Sequence, residues 1–256
     1  MILRQFLHTS PAVAISYLVG CGGRGLAAIV DPVGDIEPYL HAAETGNMRI
    51  AYVIDTHIHA DHVSSAPALL KATDAEYVLF AGADVGYSFR GVRDGELISL
   101  GNVEIGVMHT PGHTPEHISL LVYDHTRSDE PWFVLTGHTF MVGDLGRTEL
   151  ATSAEVGARD LYFSSRKLSA LADHVEVLPG AFAGSVCGRA LSGKPGSTIG
   201  FEKRFNKALQ LADESDFIAF MTRDIPPPPP DAAHIREINA GRGQASIELA
   251  HAETKR

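Results

Sequence analysis

The chain has 256 residues, 45% of them apolar and 20% charged, with a formal net charge of −10. That length suits one large α/β domain or two small ones with a sizeable core. The acidic balance argues against nucleic acid or an anionic membrane as a partner. Two cysteines, Cys21 and Cys187, make no disulfide framework and point to a reducing, cytoplasmic setting.

The first 31 residues alternate apolar runs with glycine-rich breaks, which predicts antiparallel strands over 2–7, 12–19 and 26–30. The run 12–19 is too short to span a membrane. Nor does it read as a signal peptide: Pro11 precedes it, only Arg4 is basic before it, and Gly22-Gly23-Arg24-Gly25 follows in place of a cleavage site. Residues 20–25 match Gly-x-Gly-x-x-Gly, yet only Leu26-Ala27-Ala28-Ile29-Val30 follows before Asp31-Pro32. No helix can open there to receive phosphate, so a dinucleotide fingerprint is rejected.

A helix is expected over 35–45, a strand over 50–54, a helix over 66–72 and a strand over 76–80. Residues 96–100 and 103–108 read as a hairpin about Gly101-Asn102. A tight turn follows at Thr110-Pro111-Gly112-His113-Thr114-Pro115, then strands over 118–123 and 132–135, the latter closed by Thr136-Gly137-His138-Thr139. A helix over 158–172, with Leu161, Leu168 and Leu171 on one face, leads to a strand over 174–178. Helices at 201–212 and 214–223 precede five prolines at 226–230. Residues 188–194 fit all but the last place of a P-loop. Pro195 stands where Ser or Thr must bind magnesium and removes a backbone N–H from the cradle. The proline run reads as the start of a surface tail over 226–256, with a polyproline ligand as the alternative.

The informative stretch is Asp55-Thr56-His57-Ile58-His59-Ala60-Asp61-His62, at the junction of the strand over 50–54 and the helix over 66–72. In extended chain, residues two apart share a face, so His57, His59 and Asp61 point together and His62 approaches from the turn. Three imidazoles and a carboxylate in six residues are costly to bury without a cation, and a metal site is preferred to a solvated polar turn.

These residues resemble the His-x-His-x-Asp-His signature of the metallo-β-lactamase superfamily, and Thr110-Pro111-Gly112-His113-Thr114 resembles its next ligand turn. Gly143-Asp144-Leu145-Gly146-Arg147, Gly184-Ser185-Val186-Cys187-Gly188-Arg189 and Ser197-Thr198-Ile199-Gly200-Phe201-Glu202 are most similar to the persulfide dioxygenase branch, a relative of glyoxalase II. The resemblance implies a four-layer αββα sandwich of two mixed β-sheets, α+β or α/β in class, as a single domain over 1–256. It implies metal ligands at His57, His59 and His113, with Asp61 and His62 toward a second ion.

Two ligand turns depart from the pattern. His138 stands where the family has a bridging aspartate, and Ala181 where it has a histidine. A neutral imidazole offers one lone pair and cannot bridge two cations as a carboxylate does. The expectation is therefore one divalent ion on His57, His113 and His138, with His59 close. Fe(II) is favoured and Zn(II) is the alternative.

The resemblance to the persulfide dioxygenase branch implies oxidation of a glutathione-type persulfide, a small-molecule substrate. Arg147, Arg189 and Lys194 would meet its carboxylates or else form ordinary ion pairs, and Asp61 and His62 would orient groups or carry protons. Cys187 reads as packed, His109 and His117 as turn supports, and Asp144 as a brace for the turn carrying His138. No nucleic-acid or membrane partner is expected, and a homodimer is allowed for. A zinc hydrolase of a thioester, lactone or related ester is one alternative. An inactive metal-binding or sensor protein is the other.

Overall fold

The computed structural model describes residues 1–242 apart from Pro226 and Pro230. Its alternating apolar runs form β1 (Ile2–His8), β2 (Ala14–Cys21) and β3 (Leu26–Val30), paired antiparallel. α1 (Glu37–Thr45) then carries the chain across to β4 (Arg49–Ile54), which pairs parallel with β3. α2 (Ala66–Ala72) makes the same crossing to β5 (Glu76–Phe80), and β6 (Arg90–Val92) closes a six-stranded sheet in sequential order. Parallel neighbours need such crossovers, which is why the helices lie between β3, β4 and β5 in sequence.

The second sheet runs in the order β12 (Ser197–Thr198), β11 (Glu176–Pro179), β10 (Phe133–Gly137), β9 (Ile118–Asp124), β8 (Val103–His109) and β7 (Leu97–Ser99). Only β10 and β11 are parallel in it, and α3 (Ala154–Ser169) lies in the connection between them. Ile15, Tyr17, Val30, Ile54 and Val78 of the first sheet pack on Ile105, Leu120 and Leu135 of the second. On the outer faces, Leu18 and Ile29 meet Tyr39 of α1 and Leu69 of α2. Val134 meets Leu161 and Leu168 of α3 and Phe217 of α5 (Glu214–Thr222). Each such side chain, fully buried, contributes roughly 1.5–3 kcal/mol of transfer free energy. The result is the expected αββα sandwich of two mixed sheets.

Some boundaries differ from expectation for local reasons. α3 starts earlier because the Ser153 hydroxyl accepts the Val156 N–H and caps it there. The helix expected over 201–212 ends as α4 (Ile199–Phe205). At Asn206 the backbone turns extended, and its side-chain amide donates to Asp144 O and Glu202 Oε2. β6 and β12 span three and two residues, too short for any periodicity to register.

The largest difference lies after the prolines. The tail expected over 226–256 is, in its described part, a helix, α6 (Ala232–Asn239), packed into the domain. Residues 243–256 lie outside the described residues. Among the described residues, no helix is long and apolar enough to cross a membrane.

Candidate metal centre

The ends of β4, β8 and β10 meet at one edge of the sandwich, where loops can aim side chains at a common point. His57, His59 and His62 follow β4, His113 sits in the β8–β9 loop, and His138 follows β10 directly. All five rings are buried, none more than 3% exposed. The rings of His57, His113 and His138 lie with centroids 4.8, 4.9 and 5.1 Å apart, pair by pair. One nitrogen from each falls within 4.8 Å of the others. His59, Asp61 and His62 form a second group with the same spacing. Gly137 lets the loops close this far: a Cβ there would lie 2.5 Å from His117 Nε2 and 2.6 Å from Thr56 Oγ1.

Hydrogen bonds set the tautomers. Thr56 Oγ1 donates to Asp31 Oδ2 at 2.8 Å, so its remaining bond to His57 Nδ1 at 2.9 Å has the ring as donor. His57 Nε2 is then a free lone pair. His113 Nδ1 donates to Arg147 O at 2.7 Å, which likewise leaves Nε2 to accept. His59 Nε2 donates to Asp31 Oδ1 at 3.2 Å. The His138 backbone N–H donates to His117 Nε2 at 3.1 Å, and the His117 ring stacks on His57 at 4.9 Å. Imidazoles held through one nitrogen so that the other is presented inward are the arrangement metal centres require.

His57 Nε2, His59 Nδ1, Asp61 Oδ2, His62 Nε2 and His138 Nδ1 are all buried without a hydrogen-bond partner. Each orphaned group costs about 1–3 kcal/mol, more if charged, and a shared cation would relieve several at once. The donor set, all nitrogen and oxygen with Cys187 at the margin, suits iron or zinc better than magnesium or calcium. The residues present therefore fit a divalent ion.

Burial holds His57, His117 and His138 below the ordinary histidine range, and the neighbouring rings reinforce it for His57 and His117. His113 is pushed down to about 3 by burial and by His138. For His59 burial pulls the same way, but Asp31 and Asp61 outweigh it and hold the ring well above 6.5. Burial opposes ionisation of Asp61 too, yet His62 and His59 keep its carboxyl well below the usual carboxylate range.

The four depressed rings bind no proton in the folded state where the unfolded chain, at 6.5, begins to bind them. Stability of chelator-treated protein is therefore expected to fall as pH drops from 6.5 toward 5. His59 runs oppositely, its contribution being complete below 6.5, and it cannot reverse the slope there. Urea midpoints at pH 7 and 5.5 check this, and a higher midpoint at pH 5.5 would contradict it.

The residues expected to meet substrate carboxylates are placed differently. Arg147 is buried, pairs with Glu149 and donates to Val186 O and Pro227 O. Arg189 pairs with Asp144 at 3.0 Å, donates to Phe220 O and lies over the Phe220 ring. These guanidiniums hold loops together, and the expectation of an open carboxylate site at them is corrected. Lys194 is exposed, with Nζ bonded to Gly196 O. Cys187 is buried beside Asp61 and packs with Met141 and Ala181; burial pushes its thiol well up. Asp144, expected to brace the turn carrying His138, instead ties residues 144–145 to 189–190, accepting from Leu145, Arg189 and Ala190 N–H.

Three supporting residues escaped the sequence reading or were undervalued in it. Asp31, 4% exposed, accepts from Thr56 N–H and hydroxyl and from His59. Glu116 accepts the Ile58 N–H at 2.9 Å. His117, expected only to support a turn, braces both His138 and His57. The available signal for Asp31 was its place directly after β3, whose Val30 is in register with Ile54.

With this fold and this edge of converging histidines, the chain belongs to the metallo-beta-lactamase superfamily of metal-dependent enzymes, whose family model matches residues 12–181. It is similar to a metallo-beta-lactamase structure from Staphylococcus aureus subsp. aureus COL, at 34% identity and TM-score 0.88, covering 93% of this chain and 72% of that one. It is also similar to the structure of ETHE1 from Myxococcus xanthus, at 28% identity and TM-score 0.80, covering 95% of this chain and all of that one (100%). A hydroxyacylglutathione hydrolase of Polaromonas sp. is 29% identical, over 87% of this chain and 93% of its own.

Proposed function

We propose that the chain is a mononuclear iron-dependent dioxygenase of a glutathione-type persulfide. The observation that carries this reading is the convergence of His57, His113 and His138 from three separate loops, with inward nitrogens within 4.8 Å of one another. Ala181, buried at the place of a further ligand, has no donor to complete a second centre. The likeness to ETHE1, a persulfide dioxygenase, supports the same chemistry. Held by these three rings, Fe(II) would supply binding of a sulfur ligand and activation of O₂ at one centre.

The chain's own residues do the rest. Asp61, its Oδ2 unpartnered and its carboxyl held ionised by His62 and His59, would orient groups at the centre, and His62 Nδ1, 3.1 Å from Asp61 Oδ1, orients that carboxylate. Lys194, exposed on the loop beyond Arg189, is the remaining basic candidate for a substrate carboxylate.

The test is anaerobic reconstitution with Fe(II), then an oxygen electrode with glutathione persulfide. Iron-dependent uptake is expected, and zinc-loaded protein should give none. The hydroxyacylglutathione hydrolase likeness favours a second reading, a zinc thioester hydrolase. Thioester cleavage by zinc-loaded protein, with no oxygen uptake by the iron form, would replace the first reading with this one. Protein that takes up neither metal would fit neither.

A paired substitution probes the altered ligands. His138→Asp with Ala181→His restores a bridging carboxylate and a further imidazole, so metal content is expected to rise from one to two equivalents per chain. Elemental analysis after dialysis reads this directly. An unchanged single equivalent would show that these positions do not set the count.

A further inference from the structure

The loop over 55–63 that carries His57, His59, Asp61 and His62 belongs to no helix or strand, so no ladder of its own fixes its backbone. Three of its carbonyls, those of Ile58, His59 and His62, accept from side chains of α6. Arg236 and Asn239 stand three residues apart and so share a face of that helix. Arg236 Nη1 donates to Ile58 O at 2.8 Å, and Nη2 faces Glu116 Oε2 at 3.5 Å. Glu116 in turn accepts the Ile58 N–H, so both main-chain polar groups of Ile58 answer to one ion pair. Asn239 Nδ2 donates to His59 O at 2.9 Å and His62 O at 2.8 Å, while its Oδ1 accepts Ser64 N–H at 3.0 Å. One amide thus spans the loop from its second histidine to the start of α2.

α6 is anchored on its other side as well. Tyr87 Oη donates to Asn239 O at 2.6 Å, Gly86 N–H donates to Ala240 O at 2.8 Å, and Arg242 pairs with Asp84 at 2.8 Å. The helix therefore bridges two loops, and the one bearing the histidines is tied to it by side chains alone.

We infer that α6 sets the geometry of the metal loop, with Asn239 and Arg236 as positioning residues that hold the histidine backbone in its ligand-presenting form. The inference rests on the metal centre argued above. Carbonyls fixed at residues 58, 59 and 62 fix the Cα positions between them, and the ring nitrogens follow. Asn239 suits the task because it donates twice and accepts once from one planar group. An aspartate of the same shape would turn one oxygen on two carbonyls.

Co(II) is the probe, with its d–d spectrum reporting coordination geometry and chelator competition its affinity, measured on the full chain. Wild type is measured first; failure to bind Co(II) overturns the metal centre itself and this inference with it. Given wild-type binding, Asn239→Asp is expected to weaken Co(II) affinity about 10–100-fold and to alter the d–d envelope at saturating metal. Arg236→Lys keeps the charge toward Glu116 but loses the second donor, and should show a smaller loss of the same kind. It answers the question if Asn239→Asp does not fold. Ala233→Ser, on the exposed face of α6, is the control and should match wild type. A merely structural brace would lower the melting temperature of metal-free protein while leaving affinity and spectrum as in wild type. That outcome, or an equal loss in Ala233→Ser, overturns the proposal.

Discussion

His113→Ala is expected to leave a folded protein that cannot retain its metal through dialysis. His113 is held through Nδ1 by Arg147 O at 2.7 Å, and it alone among the three comes from the β8–β9 loop. Removing it leaves His57 and His138 with two nitrogens between them, too few for a stable site open to substrate. The loss should exceed the roughly 10–100-fold that follows removal of a residue that only supports a ligand. Folding should survive, because the ring packs on other imidazoles and not on the sandwich core. Elemental analysis beside a far-UV spectrum decides it. Full metal occupancy in a folded variant would show that His113 is no ligand.

Asp31→Ala is expected to have the largest effect on stability, about 3–5 kcal/mol. Its carboxylate receives Thr56 N–H at 2.7 Å, the Thr56 hydroxyl at 2.8 Å and His59 Nε2 at 3.2 Å, all buried. Truncation leaves those donors unpaired and removes the charge that holds His59 above the ordinary histidine range. For a chain of this size the melting temperature should drop by on the order of 10 °C. Asp31→Asn keeps the shape and part of the acceptor capacity and should cost less. A loss under about 1 kcal/mol in Asp31→Ala, measured by urea unfolding, would mean that water replaces the carboxylate.

The sequence made the ligand loops legible because the histidines are close in the chain, so spacing alone brings them together: four of the candidate ligands fall between residues 57 and 62. His113 and His138 were readable because each sits in a short turn after an apolar run. The supports were not readable, because they act across the fold. Asp31 reaches Thr56 only through the parallel register of β3 and β4, and Glu116 reaches Ile58 from the other sheet. Arg147 and Arg189 read as ligands for an anionic substrate because charge in a loop carries no sign of burial, and only the packed structure shows them paired internally. The proline run masked α6. Asp231 stands at its start in a left-handed conformation with no side-chain cap bond, so even a cap reading would have succeeded for the wrong reason.

Both sheets contribute to the metal edge, and the Ile118 N–H joins them there by donating to Thr56 O at 2.8 Å. This arrangement has a consequence for biosynthesis. A nascent chain that has emerged only through β5 carries the first histidine loop but nothing to close over it. His113, His138 and the α6 residues arrive in that order, so the edge is complete only when nearly the whole described polypeptide has left the ribosome. Capture of an ion by the converging rings would then belong to the final assembly of the molecule, and an early fragment would leave its imidazoles open to whatever cation is at hand.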